Sequence, residues 1–184
     1  MTRTRFVVAS LIAVGLTVVV ALITAALGGR PGGVGEADGV VPDGVTVFDD
    51  SYPAVSRLDP ALLKALRRAA RAAADDGVTF HVNSGWRSPA YQEQLLREAT
   101  AKYGSAREAA RWVAGPTTSL HVKGAAVDLG GSDATQWLSE HGAAYGLCQI
   151  YRNEPWHYEL RAHAADGGCP DMYADATQDP RLRR

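Results

Sequence analysis

The sequence predicts an α+β domain with a central antiparallel sheet flanked by helices. Three observations point to it. Segments with apolar residues at helical spacing alternate with short strand-like runs, in an order lacking the regular βαβ repeat of a parallel sheet. The last two strand-like runs, residues 147–151 (LCQIY) and 156–160 (WHYEL), are close enough in the chain to close as an antiparallel pair. And 184 residues suffice for one domain with its own core, but not for two generous ones.

The chain opens on Arg3 and Arg5, followed by an uncharged apolar run over residues 6–27. About 20 apolar residues are enough to cross a bilayer as a helix, and a positive flank belongs on the cytoplasmic side. Residues 1–27 are therefore expected to be a signal-anchor or a signal peptide that exports the rest of the chain. Thr24-Ala25-Ala26 offers a small-residue cleavage site. Residues 28–44, rich in Gly and Pro, are expected to be a flexible linker without an element of its own. The folded domain then occupies residues 45–184.

Within it, Asp59-Pro60 is an N-cap followed by proline at the first helical position. Leu62, Leu63, Leu66, Ala69, Ala70 and Ala73 then line one face as far as Gly77. Residues 78–83 (VTFHVN) read as a strand. Ser88-Pro89 opens a second helix with Tyr91, Leu95 and Leu96 turned inward. Ser105 and Glu108 form a capping box for a third, ending near Gly115-Pro116. Residues 125–130 (AAVDLG) are a strand, and residues 133–140 a short helix carrying Trp137 and Leu138. The polar, irregular tail is expected to lie on the surface.

Composition narrows the function. A net charge of −1 and a pI near 6.5 give no general electrostatic case for nucleic acid or an anionic membrane surface. One residue stands out instead. Asp128 lies in an apolar strand, where an unpaired carboxylate is costly. His121 precedes it, and His157 comes after Glu154 in NEPWHYEL. Pro155 bars a helix interior and favours a bend that turns Glu154 and His157 towards one cavity. Two imidazoles and one carboxylate are the ligand set of a catalytic zinc, which keeps a fourth position for water. Glu154 would be the non-ligating carboxylate that takes the water's proton. Singly, each residue has a plainer reading: a hydrogen-bonded core histidine, a helix-capping aspartate, an exposed Glu-Pro turn.

The conjunction resembles a known family. SLHVKGAAVD, residues 119–128, is similar to the S-x-H-x-x-G-x-A-x-D signature of the zinc D,D-peptidases of the peptidase M15 family. EPWH is similar to their second signature. SGWRS (residues 84–88), with Tyr91-Gln92 after it, resembles an upstream segment of the VanY-type D-alanyl-D-alanine carboxypeptidases. The three segments stand in the family's order, and the likeness spans residues 58–160.

This resemblance implies a single small zinc-peptidase domain with one Zn2+ per chain, held by His121, Asp128 and His157. It implies that Glu154 is the general base and later protonates the departing amine. Arg87 would polarise the scissile carbonyl and stabilise the oxyanion, a task suited to a planar, permanently charged guanidinium. Ser119 would help hold the substrate, although a serine before a strand often only bonds backbone. A surface salt bridge is the plainer reading of Arg87. Trp156 is expected to pack beneath the metal and Trp86 to be pocket wall or core; Gln92, in the first helical turn, is within reach of the pocket but receives no role. His81, His141 and His163 receive no role.

The function implied is a zinc-dependent D,D-carboxypeptidase removing the terminal D-Ala of peptidoglycan stem peptides. It would work outside the cytoplasm, anchored to the membrane by the N-terminal segment or secreted after its cleavage. The alternatives are an L,D-carboxypeptidase or endopeptidase with the same chemistry, or a non-catalytic cell-wall binding module. Glu154 and Arg87 argue against the binding module, which needs neither a base nor an oxyanion partner. For Cys148 and Cys169, export makes a disulfide the default, pinning the tail to the strand before the EPWH bend. The competing readings are two free buried thiols, or zinc ligation, for which the spacing is poor.

Overall fold

Four short strands form one antiparallel sheet in the computed structural model, which describes residues 33–183. They are β1 (His81–Ser84), β2 (Ala126–Gly130), β3 (Leu147–Gln149) and β4 (His157–Leu160), in the order β1-β2-β4-β3. Six helices accompany them: α1 (Pro53–Ser56), α2 (Pro60–Asp75), α3 (Pro89–Tyr103), α4 (Ala106–Ala109), α5 (Ser132–His141) and α6 (Ala164–Gly167). An α+β domain with a central antiparallel sheet is thus what the sequence folds into. Among the described residues no helix is long and apolar enough to cross a membrane, and the apolar run over residues 6–27 lies outside them.

Helix α2 starts where its cap places it. The Asp59 carboxylate accepts hydrogen bonds from the Ala61 and Leu62 N–H groups, and Pro60 stands at the first position. Its buried face (Leu62, Leu66, Ala69, Ala73) packs on Val82, Val127, Leu129 and Tyr158 of the sheet. Because strand side chains alternate, this leaves Asp128, His157 and Glu159 on the opposite face.

Several expectations needed correction. The first strand begins only at His81, because the Val78 N–H still bonds the Ala73 carbonyl at the end of α2. In α3 it is Gln92 and Ala99 that are buried, while Tyr91, Leu95 and Leu96 are half-buried, Leu95 in the wall of a cleft. Ser105 does cap α4 by accepting from the Glu108 N–H. The helix nonetheless ends at Ala109, and the chain beyond is tied elsewhere. The Arg111 carbonyl accepts from Asn153, and its guanidinium reaches Asp175.

Both ends of the described chain are seated on the domain. The segment expected to be a linker contains a 3-10 turn, Glu36–Asp38. Asp38 accepts from Ser88 twice, at its carbonyl from the N–H (2.7 Å) and at its carboxylate from the hydroxyl (2.8 Å). Gly39 comes next at φ +99°, pressed so close that a Cβ there would stand 2.1 Å from the Trp86 carbonyl oxygen. The tail is not a surface appendage either. Cys148 and Cys169 form a disulfide. Tyr173 bridges to Tyr151, and Asp175, Ala176 and Asp179 are buried. Its polar composition misled because its charges pair inward.

Gly39→Ala should therefore cost about 1–3 kcal/mol, seen in calorimetry as a melting temperature several degrees lower. Gly44→Ala, also at positive φ but facing open space, should cost less. Equal losses would mean that the contact with Trp86 contributes nothing.

Candidate active site

The register of the sheet assembles the site. Ser84 of β1 lies opposite Asp128 of β2, and Asp128 lies opposite His157 of β4. Between Val82 and Ser84 the β1–β2 pairing shifts by one residue. That bulge turns Ser84 to the face of Asp128, although Val82 points into the core.

His121 arrives from a tight turn. Its carbonyl accepts from the Gly124 N–H, and the Gly124 carbonyl accepts from Asp59. Gly124 sits at φ +68°, where a Cβ would stand 2.5 Å from the Arg57 carbonyl oxygen. Glycine is needed there for the turn, and the turn aims the imidazole. His121 Nδ1 donates to the Gly85 carbonyl at 2.8 Å, which leaves Nε2 with its lone pair towards the site.

The EPWH segment is a turn closed by the His157 N–H donating to the Glu154 carbonyl, 3.1 Å. It brings Glu154 Oε2 within 3.7 Å of His157 Nδ1, as the proline-induced bend implied. His157 Nδ1 lies 3.2 Å from Asp128 Oδ1 and 3.3 Å from His121 Nε2. His121 Nε2 lies 3.4 Å from the same carboxylate oxygen. One atom from each of the three residues thus converges, all within 4.8 Å of one another, and all three residues are buried. The donor chemistry suits zinc, and one further atom fits a metal centre. Glu154 Oε1 is buried and has no hydrogen-bond partner.

Arg87 is no surface salt bridge. Its Nη2 donates to Asp128 Oδ2 at 2.7 Å, Nε to Ser84 Oγ at 2.6 Å, and Nη1 to Gln92 Oε1 at 3.2 Å. Gln92 is itself fixed by donating to the Ala114 carbonyl. Ser119 is buried in the wall of the cleft, and its hydroxyl accepts from the Val122 N–H at 3.5 Å. Trp156 does not pack beneath the metal-ligand set. Its carbonyl continues the ladder to the Leu129 N–H, while the residue stands 39% exposed at the cleft. Trp86 does not line the cleft, and the Arg57 guanidinium covers its ring at 4.3 Å. The cleft measures about 310 Å³ and holds Arg87, Ser119, His121, Asp128, Glu154 and His157 together. None of His81, His141 and His163 lines it.

The charges are set by burial and neighbours. Burial, then Arg87, holds the His121 pKa down, which keeps the imidazole neutral as a ligand requires. Burial alone would raise Asp128, but His121, His157 and Arg87 hold it well below the usual carboxylate range. Glu154 is pushed up to about 7, chiefly by burial, with His157 pulling the other way. For His157 burial is outweighed by hydrogen bonds to Asp128 and Glu159, and its pKa rises to about 9.

Glu159 escaped the sequence reading. Buried two residues beyond His157 on the same face, it lies 3.3 Å from His157 Nε2. The alternation of WHYEL carried the signal: a strand that buries His157 on one face buries Glu159 beside it.

The profile of the VanY D-alanyl-D-alanine carboxypeptidases matches residues 55–163. A D-alanyl-D-alanine carboxypeptidase of Enterococcus faecalis is 32% identical over 127 residues, 55% of this chain and 47% of the relative. The chain thus spans about half the length of that curated relative. Among solved structures, a vancomycin-resistance D,D-pentapeptidase VanY in complex with Zn(II) is 29% identical, with a TM-score of 0.55 over 61% of this chain and 80% of that one. VanYB in complex with D-alanine-D-alanine is 28% identical, at the same TM-score over 61% and 79%. The L,D-carboxypeptidase DacB of Streptococcus pneumoniae is 25% identical, with a TM-score of 0.51 over 73% and 88%.

Purified protein should bind about one zinc per chain, and alanine at His121, Asp128 or His157 should abolish that binding in metal analysis. Because His157 with a pKa near 9 carries a proton in the metal-free protein, zinc must displace it. Binding at neutral pH should therefore release a proton in calorimetry run in two buffers, and affinity should weaken as the pH falls. Stoichiometric zinc in the triple alanine variant would refute the assignment.

Proposed function

The chain belongs to the VanY family of D-alanyl-D-alanine carboxypeptidases, and we propose that it is a zinc-dependent D,D-carboxypeptidase of peptidoglycan stem peptides. One observation carries this reading furthest. A buried carboxylate with an unpartnered oxygen, Glu154, stands beside the converging donor atoms of His121, Asp128 and His157 in a single cleft.

Zinc bound by those three residues supplies a Lewis acid that polarises a carbonyl and acidifies a water. The remaining work falls to the chain. Glu154 accepts a proton from the attacking water and delivers it to the amine as the amide C–N bond breaks and the new C–O bond forms. In the metal-free protein burial already raises its pKa to about 7, so the site favours a carboxyl group that both accepts and gives up a proton. Arg87 uses three of its N–H groups on Ser84, Gln92 and Asp128 and keeps others to spare. These donate to the carbonyl oxygen as it gains charge, from a guanidinium that needs no reorganisation. Ser119, in the cleft wall, contributes to holding the substrate.

The zinc and D-alanine-D-alanine complexes of VanY relatives support this substrate class. The likeness to an L,D-carboxypeptidase supports a second reading, in which the same residues cut a different stem bond. Arg3, Arg5 and the apolar run after them support export, with the domain outside the cytoplasm, either anchored in the membrane or released.

Digestion of a stem pentapeptide, read by mass spectrometry, should show loss of a single D-Ala. Glu154→Gln should cut turnover at least about a hundredfold while zinc content stays near normal, and Arg87→Lys should also impair turnover. An intact pentapeptide with a shortened tetrapeptide would favour the L,D reading. Binding without cleavage of either peptide would favour the wall-binding module.

A further inference from the structure

We propose that the C-terminal tail is a working part of the metal centre. Arg181, seated by Asp179, clamps the Glu159 carboxylate against His157 Nε2, making Glu159 and Arg181 positioning residues for a metal ligand. This rests on the metal-centre reading and extends it to a tail outside the family match, which ends at residue 163.

Glu159 is 2% exposed, in the central part of the sheet, where a carboxylate needs compensating partners. One comes from its own strand's end and one from far along the chain. Arg161 Nη2 lies 2.8 Å from Oε2. Arg181 grips the carboxylate with both terminal nitrogens, Nη1 at 2.6 Å from Oε2 and Nη2 at 3.2 Å from Oε1. The oxygen that remains turned to the site, Oε1, is the one 3.3 Å from His157 Nε2.

Arg181 is in turn held in place. Asp179, with no exposed surface, accepts from the Arg181 backbone N–H and Nε, each at 2.9 Å, and also pairs with its Nη2. The same carboxylate accepts from the Tyr151 hydroxyl at 2.9 Å, and the Tyr151 ring lies 5.0 Å from the His157 ring. The tail therefore reaches His157 by two routes, one through Glu159 and one through Tyr151. It is tethered at its start by Cys169 to Cys148, and Cys148 is the cross-strand neighbour of Glu159.

Imidazole chemistry sets the consequence for the ligand. A histidine that offers Nδ1 to a metal must carry its proton on Nε2, and an acceptor there selects that tautomer and fixes the ring plane. Glu159 is that acceptor. A free glutamate would rotate or turn to solvent, and the two-pronged hold of Arg181 prevents it. His121 has the matching arrangement, with the Gly85 carbonyl on its Nδ1.

The test measures zinc affinity by equilibrium competition with a chromogenic chelator, and the visible spectrum of the cobalt-substituted protein. Both are read on the full chain without reference to peptide hydrolysis. Glu159→Gln should weaken zinc binding about 10–100-fold and shift the cobalt bands. Arg181→Met should weaken it in the same direction, and Arg181→Lys should restore part of the loss. A merely structural network predicts something else: the metal-free variants melt at lower temperature, yet the folded variants bind zinc as tightly as the parent with an unchanged spectrum. That outcome overturns the proposal. If Glu159→Gln does not fold, the Arg181→Met and Arg181→Lys pair decides by the same two readouts. A parent chain that binds no zinc would overturn the metal-centre reading itself. A parent that binds zinc while the variants match it would overturn only this inference.

Discussion

The buried Asp128 carboxylate is the constraint around which the domain is arranged. It sits in the fully buried strand β2, where an unpaired charge would be strongly destabilising. Each neighbour answers that demand: His157 across one strand pair, His121 from the turn, and Arg87 from the loop after β1. The β1 bulge serves the same end, since it turns Ser84 to this face and gives Arg87 Nε an acceptor. Stability and metal affinity draw on the same contacts. A charge cluster that folds only when its members converge is, for the same reason, preorganised to hold a cation.

The two ends of the described chain brace the two sides of this cluster. On one side Asp38 holds Ser88, the residue after Arg87, through both its hydroxyl and its backbone N–H. On the other, Arg181 holds Glu159 behind His157. Neither Asp38 nor Arg181 belongs to the central sheet, yet one holds the N-cap of α3 beside Arg87 and the other holds a carboxylate of β4. A small sheet of four strands offers little second layer of its own. The terminal segments supply that layer, with ion pairs and hydrogen bonds where a larger domain would use further elements.

What the sequence revealed and what it concealed divide along the range of the interactions. The Asp59-Pro60 cap, the apolar face of α2 and the bend at Pro155 are local, and each could be read from a few adjacent residues. His121, Asp128 and His157 are distant in sequence, but the family signatures tied them together, and the structure brings them to one point. The β1 bulge was hidden because a one-residue register shift leaves no composition signal. Gly39 looked like linker glycine, since its contact is with a backbone oxygen of a remote loop. Polarity made the tail look like surface, yet Asp175 and Asp179 are buried against arginines. Glu159 was within reach of the argument that singled out Asp128, a carboxylate in a buried strand. Its main partner, Arg181, lies in a segment whose charges looked solvated.

Paired guanidiniums, together with hydrogen bonds to His121 and His157, set the other buried acids apart from Glu154. Asp128 faces Arg87, Asp175 faces Arg111, Asp179 faces Arg181, and Glu159 faces both Arg161 and Arg181. Each of these carboxylates has its pKa held below the usual value despite burial. Glu154 has no arginine partner among the described residues. His157 Nδ1 lies 3.7 Å away, and burial raises the Glu154 pKa to about 7, with His157 and, less strongly, Arg87 pulling the other way. A carboxylate locked to a guanidinium is a poor proton acceptor, because its charge is already stabilised. The one left without that lock is the carboxylate suited to the proposed role of taking up and releasing a proton near neutrality. The fold thus separates its buried carboxylates by partner. Those paired with arginine are locked into the structure, and the one without is the carboxylate to which the proposed reaction gives the proton transfer.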